Sequence, residues 1–431
     1  MKQNPAASHF HFSGHDTVEL AERYGTPLYV MSEDLIRQRC ESIRKEFLDL
    51  YPNTRAAYAS KAFLSMAMCR IIQDEGLNLD VVSAGELYTA IQAGFPMEQV
   101  MFHGSNKSIE ELESAISNGV GRIVVDHHEE IELLENLASE ADQTVRIQIR
   151  VVPEVEGKTH KHIMTGQRDT KFGIPLDKDL IHAVVNKALQ CPHLQLMGFH
   201  FHIGSNLFEQ EVFVAAVERV MALCRDLRDA LGFRTLELNT GGGYGIRYTD
   251  TDSPQPAAFY TDAIMAAVRR CALAYNLEMP AVIIEPGRWI VGEAGITLYT
   301  VGAIKTIPKV RTYVSIDGGM PDNIRPALYG AKYEAVAANK ANQPRDYTVT
   351  IAGKCCETGD ILIWDLKTPW LERGDLLAVL STGAYNDSMA NNYNRLPRPA
   401  VVLLTGQTSR LMVDRETIDD LLVREQRAQQ Q

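Results

Sequence analysis

A chain of 431 residues is too long for one ordinary hydrophobic core, so we expect either a large α/β barrel with an addition or two conventional domains. The hydrophobic share of 45% and the charged share of 23% are typical of folded globular proteins and give no sign of disorder. The formal net charge of -12 disfavours binding to nucleic acid or anionic lipid, and no segment has the pattern of a signal peptide or a membrane span.

The seven cysteines are scattered along the chain and form no CxxC pair. This usage is typical of reduced thiols in the cytosol, so we predict a cytoplasmic protein whose partners include neither nucleic acid nor membrane. The adjacent Cys355 and Cys356 stand apart from the other five cysteines.

Short β-rich runs followed by amphipathic stretches dominate the chain from residue 55 to residue 287. Eight such runs are strand candidates, at 55–60, 79–83, 100–104, 122–126, 145–152, 196–204, 235–243 and 281–287. Eight β-then-α units predict a (β/α)8 TIM-like barrel, which we place at 35–290. A doubly wound open sheet is the alternative, but its glycine-rich turn would follow the first strand, and here that turn follows the seventh.

The regions on either side of this barrel have a different character. After residue 290 the chain consists of strand-like runs separated by turn residues and contains no long helical pattern. The first 34 residues include the extended run GTPLYVM. The sequence therefore predicts a second, mostly β domain, similar to a sandwich or barrel, formed by 1–34 together with 291–431.

Barrel enzymes carry their chemistry on the loops at the carboxyl ends of the strands. The polar residues and glycines at these places are Lys61, Ser83, His103, Ser105, Asn106, His202, Ser205, Gly241 to Gly243, Glu285 and Arg288. Lys61 has apolar or small neighbours, so we expect its amine to be partly desolvated, which suits Schiff-base formation. A solvated surface charge is the alternative for this lysine.

Gly241, Gly242 and Gly243 follow the seventh strand, where many barrels bind a phosphate through bare backbone N–H groups. A simple tight turn is the alternative. Glu285 ends a buried apolar strand, where a carboxylate needs a cation or a hydrogen-bond donor. Arg288 could satisfy it, or Glu285 could hold a pyridine nitrogen protonated.

His200 and His202 lie two residues apart on one predicted strand and therefore point to the same face. Three interpretations stay open: two core histidines, a metal-binding pair, or an aromatic ring stacked on a cofactor. A third metal ligand at a typical spacing is not evident in the sequence, so we expect no metal.

Eight motifs in the same order resemble those of the fold type III pyridoxal-phosphate (PLP) decarboxylases, and most closely those of the diaminopimelate decarboxylases. The resemblance covers nearly the whole chain. The motifs are YASKAF (58–63), LDVVSAGEL (79–87), FHFHIGSN (199–206), NTGGGYG (239–245), EPGR (285–288), DGGMPDNIRPALYGA (317–331), KCCETGD (354–360) and GAYNDSMANNYN (383–394).

This resemblance implies PLP as the cofactor and assigns roles to the strand-end residues. Lys61 is implied as the Schiff-base lysine, and His202 as the ring that stacks on the cofactor. Ser205 and the loop 241–243 are expected to bind the phosphate, and Glu285 the pyridine nitrogen.

The resemblance also implies which residues bind the substrate. Arg325 and Tyr329, together with Arg288, are expected to bind the carboxylate that does not react. Tyr385 is expected to contact both cofactor and substrate, and Arg288 is expected to serve the cofactor site as well. After Tyr385 the family pattern has a glycine, whereas this chain has Asn386, so the backbone of that loop is in question.

Cys356 and Glu357 are similar to a Cys-Glu pair of the family that comes from the partner subunit. The thiol is implied to return a proton to the reacting carbon, and the carboxylate to bind the distal amino group. The expected assembly is a homodimer with shared active sites. The match also suggests an ion pair between Lys171 and Asp360 across the dimer, although both could be solvated surface charges.

The implied reaction is decarboxylation of meso-diaminopimelate to L-lysine and carbon dioxide, the last step of lysine biosynthesis. A related decarboxylase of ornithine, arginine or carboxynorspermidine is the same-family alternative, and Arg325 with Tyr329 counts against it. Alanine racemase is disfavoured by the Cys-Glu pair. A non-catalytic PLP-binding regulator is the alternative of a different class.

Overall fold

The computed structural model describes residues 8–155 and 169–429. The chain divides into two compact units. We call the first the β unit, which comprises Met1–Arg37, Arg247–Ser253 and Val291–Gln431, and the second the barrel unit, which comprises Gln38–Ile246 and Pro254–Ile290.

The chain enters the β unit through short elements. Strands β1 (His11–Phe12) and β2 (His15–Asp16) form an antiparallel hairpin and lead into helix α1 (Thr17–Tyr24). The Asp16 carboxylate caps this helix by accepting the Val18 N–H at 2.8 Å. The buried strand β3 (Leu28–Ser32) and helix α2 (Glu33–Ile43) follow.

The barrel unit contains a closed ring of eight parallel strands, so the predicted barrel is confirmed. The pairing of β12 with β4 and of β8 with β10 closes the ring, and the short β9 (Ile174–Pro175) pairs with β8 outside it. The eight strands are β4 (Thr54–Ala59), β5 (Asn78–Val81), β6 (Val100–Phe102), β7 (Arg122–Val125), β8 (Val145–Val152), β10 (Leu194–His200), β11 (Glu237–Asn239) and β12 (Ala281–Ile284).

Amphipathic helices connect these strands. In α9, Tyr260, Ile264, Val268 and Cys271 recur at helical spacing and are buried. Ser83 is the N-cap of α4, so this strand-end candidate has a structural role. The helices are α3 (Met66–Asp74), α4 (Ala84–Ala93), α5 (Ile109–Ser117), α6 (Glu129–Glu140), α7 (Lys178–Leu189), α8 (Glu211–Leu231), α9 (Ala257–Tyr275) and α10 (Arg288–Val291).

A polar cluster lies among the barrel strands around Glu237. This buried carboxylate accepts hydrogen bonds from Arg55 at 2.6 Å, from Arg122 at 2.5 and 2.8 Å, and from Gln148 at 2.8 Å. Burial alone would raise the pKa of Glu237, but the hydrogen bond from Arg122 and its charge outweigh burial and lower the pKa. Glu237 and Arg122 begin their strands, so this cluster stabilises the end of the barrel opposite to the candidate site.

The β unit confirms the predicted mostly β domain. Its main sheet has the order β17-β16-β14-β13-β3-β19-β20, and β18 pairs with β13 and β15. The strands are β13 (Gly295–Ile307), β14 (Arg311–Ile316), β15 (Ala335–Ala337), β16 (Tyr347–Ala352), β17 (Ile361–Thr368), β18 (Leu376–Val379), β19 (Ala400–Thr405) and β20 (Thr408–Val413), with the short helices α11 (Arg325–Tyr329) and α12 (Val423–Gln429). Within the described residues, no helix has the length and apolarity needed to cross a bilayer.

Candidate active site

The carboxyl ends of the barrel strands bring together several residues that are distant in sequence. Lys61 lies on a 3-10 turn, Ser60–Ala62, directly after β4. His103 follows β6, His200 ends β10, and Glu285 follows β12. Because the strands are parallel, these side chains meet at one end of the ring.

Glu285 is the centre of this cluster and has only 6% of its surface exposed. His103 Nε2 lies 2.8 Å from one carboxylate oxygen, and His200 Nε2 lies 3.1 Å from the other. The Asn239 amide donates a hydrogen bond of 2.6 Å to the first oxygen. The sequence suggested Arg288 as the partner of Glu285, and that expectation is wrong: Arg288 donates instead to the Ser205 hydroxyl at 2.9 Å.

The histidines determine the charge of this cluster. Burial alone would raise the pKa of Glu285, but His103 and His200 outweigh burial and hold it well below its usual value. Burial lowers the pKa of His200 to about 4, so His200 is neutral at pH 7. Burial would also lower the pKa of His103, yet Asp80 and Glu285 raise it. The cluster therefore holds an ionised Glu285 beside a His103 whose pKa is raised.

His103, His200 and Glu285 offer three ligand atoms that lie within 4.8 Å of one another, a spacing that could hold a metal ion. The sequence pattern pairs His200 with His202 and therefore did not predict this trio. The contacts of His103 and His200 with the two oxygens of Glu285 account for the same atoms by hydrogen bonding and charge. The absence of a metal therefore stays a prediction.

Lys61 is exposed, so the prediction of a partly desolvated amine is wrong for this structure. The apolar neighbours that suggested burial, Ala62 and Phe63, are themselves buried and pack inward. Lys61 nevertheless lies within electrostatic range of His202, since its charge contributes to lowering the pKa of His202, after the larger effect of burial.

The three glycines after β11 are required by the close approach of neighbouring loops. A methyl group on Gly241, Gly242 or Gly243 would overlap the carbonyl oxygen of Phe201, Glu285 or Gly204 respectively. Gly241 and Gly243 also have positive φ angles of 67° and 106°. This packing brings bare backbone beside His202, whose Nδ1 lies 3.4 Å from the Gly242 nitrogen.

In the β unit, the predicted substrate residue Arg325 is buried and begins α11. Its Nη1 donates hydrogen bonds to the Tyr248 hydroxyl at 2.8 Å and to the Tyr333 hydroxyl at 2.9 Å. Sequence analysis named neither tyrosine. Tyr329, which was expected beside Arg325, is half-buried at the end of α11.

Cys356 and Glu357 lie exposed in the loop between β16 and β17. Asp360 fixes this loop: its carboxylate accepts the Met320 N–H at 2.7 Å and the Cys355 N–H at 2.9 Å. Asp360 is buried, so its interpretation as a solvated surface charge is wrong. The expected ion pair between Lys171 and Asp360 across a dimer stays a prediction.

The loop after β18 resolves the question raised by Asn386. Tyr385 itself takes the left-handed conformation, with φ of 63°, whereas Asn386 has φ of -98°. Because its φ is negative, Asn386 has no need of the tolerance for left-handed conformations that we expected from it. The Tyr385 ring centroid lies 5.7 Å from the Arg325 guanidinium carbon.

Residues 33–292 match the family described as pyridoxal-dependent decarboxylase, pyridoxal binding domain. Over 414 residues the chain is 51% identical to the diaminopimelate decarboxylase of Bacillus subtilis (strain 168), and the aligned region covers 96% of this chain and 94% of that protein. It is 43% identical to the diaminopimelate decarboxylase of Staphylococcus aureus (strain COL), with 94% of each chain covered.

A solved structure extends this similarity to three dimensions. The diaminopimelate decarboxylase of M. jannaschii in co-complex with L-lysine has a TM-score of 0.91 and 34% sequence identity, and the match covers 97% of this chain and 96% of that one. The similarity therefore includes the barrel unit and the β unit.

Proposed function

Since the chain belongs to the family of pyridoxal-dependent diaminopimelate decarboxylases, we propose that it converts meso-diaminopimelate to L-lysine and carbon dioxide. The observation that carries the choice of substrate is Arg325, a buried guanidinium without a carboxylate partner among the described residues. Meso-diaminopimelate keeps one carboxylate through the reaction, and that group fits this cation. Ornithine and arginine have no second carboxylate to offer.

The barrel unit fits PLP. Lys61 would hold the cofactor covalently through its amine. The ionised Glu285 would accept a hydrogen bond from the protonated pyridine nitrogen of the cofactor. The bare backbone of 241–243 and the hydroxyl of Ser205 would bind the phosphate, with Arg288 tied to Ser205. His202 would stack on the ring. When bound, PLP supplies the electron sink that accepts the electron pair of the breaking Cα–carboxylate bond.

Residues of this chain would support cleavage of the Cα–carboxylate bond in different ways. Glu285 keeps its negative charge through His103 and His200, so it favours a protonated ring nitrogen opposite it. The Cys356 thiol would return a proton to Cα, and Glu357 would bind the distal ammonium group. Tyr385 lies beside Arg325 and would line the same substrate site.

A substrate panel tests the proposed activity. The protein, purified with PLP, is assayed for carbon dioxide release from meso-diaminopimelate, its LL isomer, D- and L-lysine, ornithine and arginine. Release from meso-diaminopimelate alone, with equimolar L-lysine, is the expected result. Faster release from ornithine or arginine would contradict the substrate, and no release from any of them would favour a non-catalytic regulator.

The proposal includes a cytoplasmic homodimer with shared sites. Cys356 and Glu357 are exposed on the β unit, as expected for residues that complete a site on a second copy of the chain. The seven free cysteines agree with a reducing compartment.

Mixing two inactive variants tests the shared site. Lys61→Ala and Cys356→Ala chains are combined under conditions that allow subunit exchange. A heterodimer would then contain one site with both defects and one with neither, so about a quarter of wild-type activity should return on statistical mixing. If exchange is verified by mass measurement and no activity returns, Lys61 and Cys356 serve one site from one chain.

A further inference from the structure

Arg325 has an unusual set of neighbours for a buried cation. Only 7% of its surface is exposed, and no carboxylate pairs with it among the described residues. The hydroxyl oxygens of Tyr248 and Tyr333 accept hydrogen bonds from its Nη1 at 2.8 and 2.9 Å. Burial alone would lower the pKa of Arg325, but the two tyrosines outweigh burial, and the side chain remains charged.

The two hydrogen bonds leave a defined part of the guanidinium available. A guanidinium has five N–H hydrogens, and the pair on Nη1 is occupied by Tyr248 and Tyr333. The three hydrogens on Nε and Nη2 have no acceptor among the described residues. The Nε and Nη2 edge is one of the two edges that can bind both oxygens of a carboxylate at once.

The tyrosines also restrict how Arg325 can move. Their rings pack edge to face, with centroids 5.3 Å apart, and both are buried. The guanidinium carbon lies 5.2 Å from the Tyr248 centroid and 5.7 Å from the Tyr385 centroid. If the guanidinium rotated, both Nη1 hydrogen bonds would break, at a cost in free energy for each bond. The orientation of the free edge is therefore fixed before a ligand binds.

We propose that Tyr248 and Tyr333 are positioning residues that aim the Nε and Nη2 edge of Arg325 at the retained carboxylate of the substrate. They would thereby set the preference for a dicarboxylic diamino acid. This inference rests on the proposed function, because it assumes that Arg325 binds that carboxylate. Tyr248 comes from the segment Arg247–Ser253, which belongs to the β unit although it lies within the barrel sequence.

The test compares two ligands that differ in one group. L-lysine carries the retained carboxylate, and 1,5-diaminopentane has the same two amines and chain without it. Dissociation constants for both are measured by titration of the PLP-loaded protein for wild type, Tyr248→Phe, Tyr333→Phe and Arg325→Ala. Tyr347→Phe, an exposed tyrosine of the same unit, is the matched control.

Each of the two Phe substitutions keeps the ring and removes one acceptor. We expect each to weaken L-lysine binding about tenfold and to leave 1,5-diaminopentane binding unchanged. In kinetics, KM for meso-diaminopimelate should rise while kcat changes less, as for a loss of uniform binding. In an Arg325→Ala background, neither Phe substitution should have a further effect on L-lysine.

Each failure has a different signature. If Arg325→Ala weakens L-lysine but the Phe variants do not, the positioning role is wrong and the proposed substrate site stands. If Arg325→Ala itself does not discriminate between the two ligands, the proposed carboxylate site fails and the inference fails with it. Equal weakening of both ligands in the Phe variants would mean a general structural role and would also overturn the inference.

Discussion

Glu285 in the barrel unit and Arg325 in the β unit are both buried charges, with 6% and 7% of their surfaces exposed. The protein balances Glu285 internally, through His103 at 2.8 Å and His200 at 3.1 Å. Arg325 has only tyrosine hydroxyls as hydrogen-bond acceptors among the described residues, and no carboxylate pairs with it there. A buried charge that its own protein balances can tune a bound group, whereas an unbalanced one can bind a ligand of opposite charge.

The largest expected effect comes from Lys61, because neither Glu285 nor Arg325 can replace its amine as a nucleophile. Lys61→Ala should lower carbon dioxide release by at least about a thousandfold, since it removes the nucleophile that would hold PLP. It should also abolish the yellow absorbance of the PLP-loaded protein. Lys178→Ala, at an exposed position on the same unit, is the control and should behave as wild type. A coloured and fully active Lys61→Ala protein would move the covalent attachment to another lysine.

Removing the charge of Glu285, which His103 and His200 balance, is expected to have the next largest effect. Glu285→Gln keeps the shape of the side chain and removes the charge, so kcat should fall about a hundredfold with a smaller change in KM. Glu237→Gln is the matched control, because Glu237 is also a buried barrel carboxylate with basic partners. It should lower Tm and leave kcat nearly unchanged. Wild-type kcat in the Glu285→Gln protein would argue against a role for this carboxylate in the reaction.

Removing Arg325 should affect only substrates that carry the retained carboxylate. Arg325→Ala should lower kcat/KM for meso-diaminopimelate by about thirtyfold to a hundredfold, since a charge-assisted bond to the retained carboxylate is lost. Any slow turnover of a substrate without that carboxylate should be unaffected. Arg311→Ala is the control, because Arg311 pairs with the exposed Asp365 at 2.6 Å in the same unit. Equal losses on both classes of substrate would contradict the carboxylate site.

The smallest effect on activity is expected at Asp322, a buried carboxyl group of the β unit that hydrogen-bonds Tyr299. Burial raises its pKa to about 7, so the folded protein keeps a proton that the unfolded chain releases near pH 4. Asp322 should therefore destabilise the fold progressively as pH rises from about 4 to 7, by up to about 4 kcal/mol.

Thermal unfolding of wild type and Asp322→Asn between pH 5 and pH 8 measures this effect. The variant should gain stability relative to wild type as pH rises across that range. Asp365→Asn, at an exposed position, is the control and should show no such trend. Parallel curves for wild type and Asp322→Asn would mean that Asp322 is ionised in the folded protein.

Local sequence patterns were sufficient for the architecture. All eight barrel strands lie at the predicted places, because a buried strand and an amphipathic helix each leave a periodic pattern of apolar residues over a few neighbouring positions. The division into a barrel and a mostly β region followed from the change of that pattern near residue 290. The segment Arg247–Ser253 escaped notice, since its packing with the β unit leaves no periodic signal.

The environments of charged groups depended on the tertiary structure. The sequence identified Glu285, Arg325 and Lys61 as important residues, since a charge after a buried strand or within a recognisable motif is visible locally. It did not reveal that Lys61 is exposed. Nor did it give the hydrogen-bond partners of the other two, which are His103 for Glu285 and the two tyrosines Tyr248 and Tyr333 for Arg325. These partners come from other strands and loops, and only closure of the ring and packing of the β unit bring them within hydrogen-bond distance.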